Sequence, residues 1–114
     1  MKSKKSKACD ISQKVKDKVW ERDRGMCVVC GNAYNVMPNG HYVSRAKGGL
    51  GIEQNIVTLC TPLTMNKCHY KFDHGTKQEK EEIDLKIVTY LKSKYPNWKK
   101  EDLIYQKGEI YGRK

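Results

Sequence analysis

Cys27-Val-Val-Cys30-Gly31 and, further on, Cys60 and Cys68 are the residues whose type and spacing most plainly do chemistry. Two cysteines with two residues between them and a glycine behind them form a tight knuckle that aims both sulfurs at one point. A second pair brought against the first closes a four-thiolate tetrahedral site suited to zinc. Its spacing is irregular, because seven residues (61–67) separate Cys60 from Cys68 and must loop out without breaking the cage. The competing reading, ordinary buried or free thiols, is the weaker one for two pairs in a chain with no secretory signal, where disulfides are not expected. Such a zinc would be structural, joining segments about thirty residues apart and replacing core. Cys9 is left over as an expected free thiol.

Between the pairs, His41 is followed at +4 by Arg45, then by Gly48-Gly49, and at +14 by Asn55. The stretches Cys27-Val-Val-Cys30-Gly31, His41-Tyr-Val-Ser-Arg-Ala-Lys-Gly-Gly49, Asn55-Ile-Val-Thr-Leu-Cys60 and Cys68-His69, taken in order, resemble the HNH endonuclease family over about residues 15–76. The small free-standing phage and bacterial members are the most similar. The resemblance implies a ββα-metal fold and hydrolysis of DNA phosphodiester bonds, by nicking or double-strand cleavage, with 5′-phosphate and 3′-hydroxyl products. It implies His41 as general base, Asn55 fixing the loop so that His41 points at the water, and His69 as a ligand of a catalytic divalent ion. The chemistry agrees independently: hydrolysis needs a base titrating near neutrality and a cation for the developing charge.

A second helix ligand is expected one turn beyond His69. Asp73, at i+4, lies about 40° round the helix from His69, whereas His74, at i+5, lies about 140° away. Asp73 is therefore favoured, with His74 as the fallback, and a carboxylate suits Mg²⁺, Mn²⁺ or a similar ion. Arg45 and Lys47 are placed to meet phosphates. One position departs from the family pattern: Gly40 stands where a metal-ligating His or Asp usually precedes the base. That departure keeps open a non-catalytic zinc-knuckle module that binds nucleic acid, or a subunit of a phage DNA-processing or packaging machine. Oligomeric state and sequence specificity are not readable.

Composition bounds the elements that must hold these residues. The 114 residues carry a net charge of +10, and 38% are hydrophobic with a single Phe. That is one domain with a thin core, in need of a staple. The excess of positive charge points to a polyanion, most simply double-stranded DNA, and no apolar run is long enough for a membrane span. A cytoplasmic setting, in a bacterial cell or a phage-infected host, is expected. The fold class expected is α+β: a zinc-stapled ββα-metal core flanked by helices. A basic flexible arm (1–9) precedes one domain (10–106), whose helical extension covers 78–106, and a tail (107–114) follows. Asp10 with Gln13 resembles a capping box opening a helix that runs to about Asp23. A strand is expected to leave the break Pro38-Asn39-Gly40 at His41 and run to Arg45, and a second to cover 56–59. Gly48-Gly49 reads as a flexible turn that lets phosphate approach. Cys68-His69 open one helix, and a second over 78–94 has one apolar face of Ile83, Ile87, Tyr90 and Leu91. Trp98, Leu103, Ile104 and Tyr105 are expected to form a satellite cluster.

Overall fold

Ser3 and Ser12 each open a helix by the same device. Each hydroxyl accepts from the backbone N–H three residues on, Ser6 N at 3.1 Å and Val15 N at 3.2 Å. The first helix, α1, spans Lys4–Cys9 and the second, α2, Gln13–Asp23. In this computed structural model residues 3–106 are described. The expected flexible arm is thus corrected over residues 4–9. Helix α1 is far too short to be stable by itself; tertiary hydrogen bonds hold it, and Cys9 is a buried free thiol. The cap of α2 is Ser12 rather than Asp10, whose carboxylate pairs with Arg45 instead. Helix α2 ends where Arg24 and Gly25 turn left-handed, at φ 57° and 64°.

Strands β1 (Val36–His41) and β2 (Ile56–Cys60) pair antiparallel, with Val36 opposite Cys60 and His41 opposite Ile56. Between the pairs Met37–Leu59 and Gly40–Val57 the register slips, and Pro38 and Asn39 face Thr58 alone. This is a β-bulge, which tolerates a proline that has no N–H to donate. The expected break is therefore inside a strand, and His41 ends that strand instead of starting one. All five residues of β2 are buried, which explains its uninterrupted run of β-formers.

Two more helices follow, α3 (Cys68–His74) and α4 (Lys77–Lys94). Thr76 and Glu79 form a reciprocal capping box at the start of α4, with bonds of 2.9 and 3.1 Å. Helix α2 packs on both strands, α3 on β2, and α4 along α3. Ile83, Ile87 and Leu91 bury the inner stripe of α4 as expected, whereas Tyr90 is only partly buried against the core, with its hydroxyl on Asp23. Leu103, Trp98 and Ile104 join this same core instead of a satellite. The segment returns through Leu50 N to Leu103 O at 2.8 Å and Tyr105 N to Gly48 O at 2.7 Å. That return explains the glycine pair. Gly48 is at φ 85°, and a Cβ on Gly49 would lie 1.7 Å from the Val43 carbonyl oxygen, so the turn is packed rather than open. The protein is thus a small mixed α+β fold built on a two-stranded antiparallel sheet. Among the described residues no helix is long and apolar enough to cross a membrane. The expected tail lies outside the described residues.

Candidate functional site

The four cysteines converge. Turn bonds from Gly31 N to Cys27 O (2.8 Å) and Cys27 N to Asn32 O (2.9 Å) close the knuckle, and Val28 N donates to Thr58 O at 3.0 Å, tying it to β2. Cys60 ends β2 and Cys68 begins α3. The intervening loop does bulge outward: Asn35 O accepts from Thr61 N at 2.9 Å, Lys67 N donates to Thr64 Oγ1 at 2.9 Å, and Leu63 and Met65 are left exposed. The sulfurs of Cys27, Cys30, Cys60 and Cys68 all lie within 4.8 Å of one another, and those of Cys30 and Cys60 are 3.3 Å apart. Four thiolates around zinc at about 2.3 Å would stand about 3.8 Å apart, so the cage has the size of a zinc site.

Its electrostatics also suit a cation. A hydrogen bond from the Cys68 thiol, with backbone N–H groups of Cys30, Val29 and Cys60, pulls the Cys27 thiol down to about 4 against the cost of burial. Its partners go the other way: the hydrogen bond to Cys27, burial and the nearby negative charge push Cys68 up, and burial leads the rise at Cys60. Four sulfurs this close cannot all ionise together without a cation, and a divalent metal supplies one. The fit is to a metal such as zinc.

A second constellation surrounds the end of β1. Asn55 is fully buried. Its Oδ1 accepts from Val43 N at 2.8 Å, and its Nδ2 donates to Val43 O at 3.1 Å and Leu50 O at 2.8 Å. The Asn55 carbonyl also accepts from Tyr42 N at 2.8 Å. One amide thus fixes the loop that leaves His41. His41 Nε2 lies 2.9 Å from the carbonyl oxygen of Cys9. A carbonyl can only accept, so in the neutral ring Nε2 carries the proton and Nδ1 keeps its lone pair. Burial holds the His41 imidazole below the usual histidine value; Arg45 and His69 press the same way, while the Cys9 carbonyl and Asp10 oppose them. Near neutral pH it is therefore an uncharged base.

On α3, His69 Nε2 and Asp73 Oδ2 are 3.6 Å apart on one face. Two ligands of one small divalent ion, each at about 2.1 Å, stand about 3 Å apart, so this pair could share one. His74 leaves that face and lies against Tyr70, ring centres 5.1 Å apart. His41, Lys47 and Asp73 line one open cleft of about 570 Å³. Arg45 is placed otherwise than expected: Nη1 donates to Cys9 O at 2.8 Å and Nη2 pairs with Asp10 at 2.9 Å. Gly40 has a packing reason. A Cβ there would fall 2.6 Å from Leu59 Cδ1 and 3.1 Å from Val57 O, so a side chain at position 40 would meet β2 and the core.

Several supporting residues gave no readable signal in the sequence. Tyr42 donates to both Asp84 oxygens, at 3.0 and 3.1 Å, and stacks on Phe72, so it joins the cleft walls from α3 and α4. The Arg22–Asp23 pair binds α2 to β2 and α4: Arg22 Nη2 donates to Ile56 O at 2.8 Å, Thr58 N to Asp23 at 2.9 Å and the Tyr90 hydroxyl to Asp23 at 2.6 Å. Adjacent opposite charges, absent a partner in the sequence, look like any solvated pair. Comparison of the chain with protein-family models, with curated proteins and with solved structures finds no match.

Proposed function

We propose that this protein is a metal-dependent endonuclease of the HNH type that hydrolyses DNA phosphodiester bonds. The observation that carries the reading is the meeting, in one cleft, of His41, whose Nε2 lies against the Cys9 carbonyl, and of Asp73, one helical turn from His69 and 3.6 Å from it. His41 Nδ1 takes a proton from water, the water oxygen bonds to phosphorus, and the P–O3′ bond breaks. The products are a 5′-phosphate and a 3′-hydroxyl, the latter protonated from solvent. Asn55 holds the loop behind His41 so that the ring does not swing away. His69 and Asp73 would hold the divalent ion, which when bound supplies positive charge to the phosphate. Lys47, in the same cleft, contributes a further cation for the DNA backbone. The four-cysteine cage is structural in this account, and the net charge of +10 favours duplex approach.

A second reading is favoured by one observation: with position 40 packed on Leu59, this face offers the pair His69 and Asp73 and no ligand from Gly40. On that reading the chain binds nucleic acid without cutting it. An end-labelled duplex incubated with Mg²⁺ or Mn²⁺ separates the two. Endonuclease action yields internal cuts whose new 5′ ends carry phosphate; the binding module yields a shifted but intact duplex.

A further inference from the structure

The C-terminal carbonyl of α1 is a shared acceptor. His41 Nε2 is 2.9 Å and Arg45 Nη1 2.8 Å from the Cys9 oxygen, so both of its lone pairs are in use. Arg45 Nη2 adds a bond of 2.9 Å to Asp10 Oδ1, gripping the residue just past the helix. Elsewhere along the same turn, Gly51 N donates to Ala8 O at 2.9 Å. A Cβ on Gly51 would come within 2.0 Å of the Asp10 carbonyl oxygen, so the backbone seats directly on that glycine. A helix of six residues has no stability of its own to offer. Its place over His41 depends on these contacts.

We propose that α1 is a working part of the site and that Arg45 is a positioning residue, clamping the Cys9 carbonyl onto His41 Nε2 so that the ring keeps its orientation and its proton on that nitrogen. Arg45 thus acts through the peptide of Cys9 and not on a phosphate. The catalytic consequence rests on His41 being the base proposed above; the clamp itself does not. The segment that reads as a loose basic arm is then needed for turnover and not only for affinity.

Two substitutions disturb the clamp from different sides. Arg45→Gln removes the guanidinium fork, and Gly51→Ala forces α1 away without touching Arg45 or His41. In the zinc-loaded parent, a ¹H–¹⁵N spectrum is expected to show the His41 Nε2 proton as a slowly exchanging signal at neutral pH. In both variants, with secondary structure and zinc content unchanged, that signal is expected to vanish into solvent exchange. On a DNA duplex, kcat should fall on the order of tenfold with KM unchanged, because a displaced base loses orientation and not substrate affinity. An Arg45→Gln protein that keeps the protected proton, or that changes KM alone, overturns the clamp and returns Arg45 to phosphate binding. Should that variant not fold, Gly51→Ala decides by the same two readouts. A parent that never cuts DNA removes the endonuclease reading but leaves the ring-proton measurement to decide the clamp.

Discussion

Asn55→Ala isolates the residue that holds the cleft together. The side chain is wholly buried and makes three hydrogen bonds, at 2.8, 3.1 and 2.8 Å. Truncation leaves Val43 N–H, Val43 C=O and Leu50 C=O without those partners. At about 1 to 1.5 kcal/mol each, three such bonds give about 3 to 4.5 kcal/mol. For a domain near 110 residues, about 1 kcal/mol moves Tm by roughly 4 °C, so a fall of roughly 12–18 °C is expected. Asn55→Asp should be no better, since it keeps the acceptor for Val43 N but sets a carboxylate oxygen against two carbonyls. Thermal unfolding of the zinc-loaded protein, followed by circular dichroism, reads the shift directly. A His41→Ala control should move Tm far less, because His41 gives a single bond to Cys9 O. An Asn55→Ala protein melting within about 3 °C of the parent would refute the reasoning, since the three bonds would then not be holding the loop.

Three further outcomes are expected. Removing zinc with a chelator, or replacing Cys60 by Ser, should unfold the chain and release one zinc per molecule, measured together by circular dichroism and a colorimetric zinc indicator; retained structure in a zinc-free protein would refute the cage as a staple. Cleavage should be full at pH 7 and fall as pH drops, with a midpoint below the ordinary histidine value of about 6.5, because burial favours the neutral ring and the base acts only unprotonated; a midpoint above 7 or a flat rate from pH 5 to 8 would indicate another base. Gly40→Asp should cost about 1 to 3 kcal/mol through its clash with Leu59 and bring no gain in metal affinity, checked by melting and by Mn²⁺ titration; tighter Mn²⁺ binding would show that position 40 can reach the ion.

Local signals carried much of this molecule. The knuckle at Cys27 and Cys30, the apolar stripe of α4 and the β-run ending at Cys60 are all short-range patterns, and each stands where its spacing placed it. The choice between Asp73 and His74 followed from helix angles alone, and only Asp73 shares a face with His69. What stayed hidden depends on distant partners. Helix α1 looks like a solvated basic run because its anchors, His41, Arg45 and Gly51, lie more than thirty residues away. Pro38-Asn39-Gly40 reads as a break because a bulge and a turn use the same residues; the difference is the neighbouring strand. Gly40 reads as a missing ligand, and only Leu59 behind it shows a packing requirement. Asp84 is one acid among several on α4 until Tyr42 is seen to donate to it.

The most direct test of the account is cleavage of a supercoiled plasmid by the zinc-loaded protein with Mg²⁺, Mn²⁺, Ni²⁺ or EDTA, beside His41→Ala at matched zinc content. Relaxed or linear DNA that appears only with a divalent ion, and disappears in the variant while its fold and DNA binding persist, is the predicted result. Supercoiled plasmid left intact with every metal, by protein that is folded and binds the DNA, would contradict the endonuclease and leave a zinc-stapled binding module.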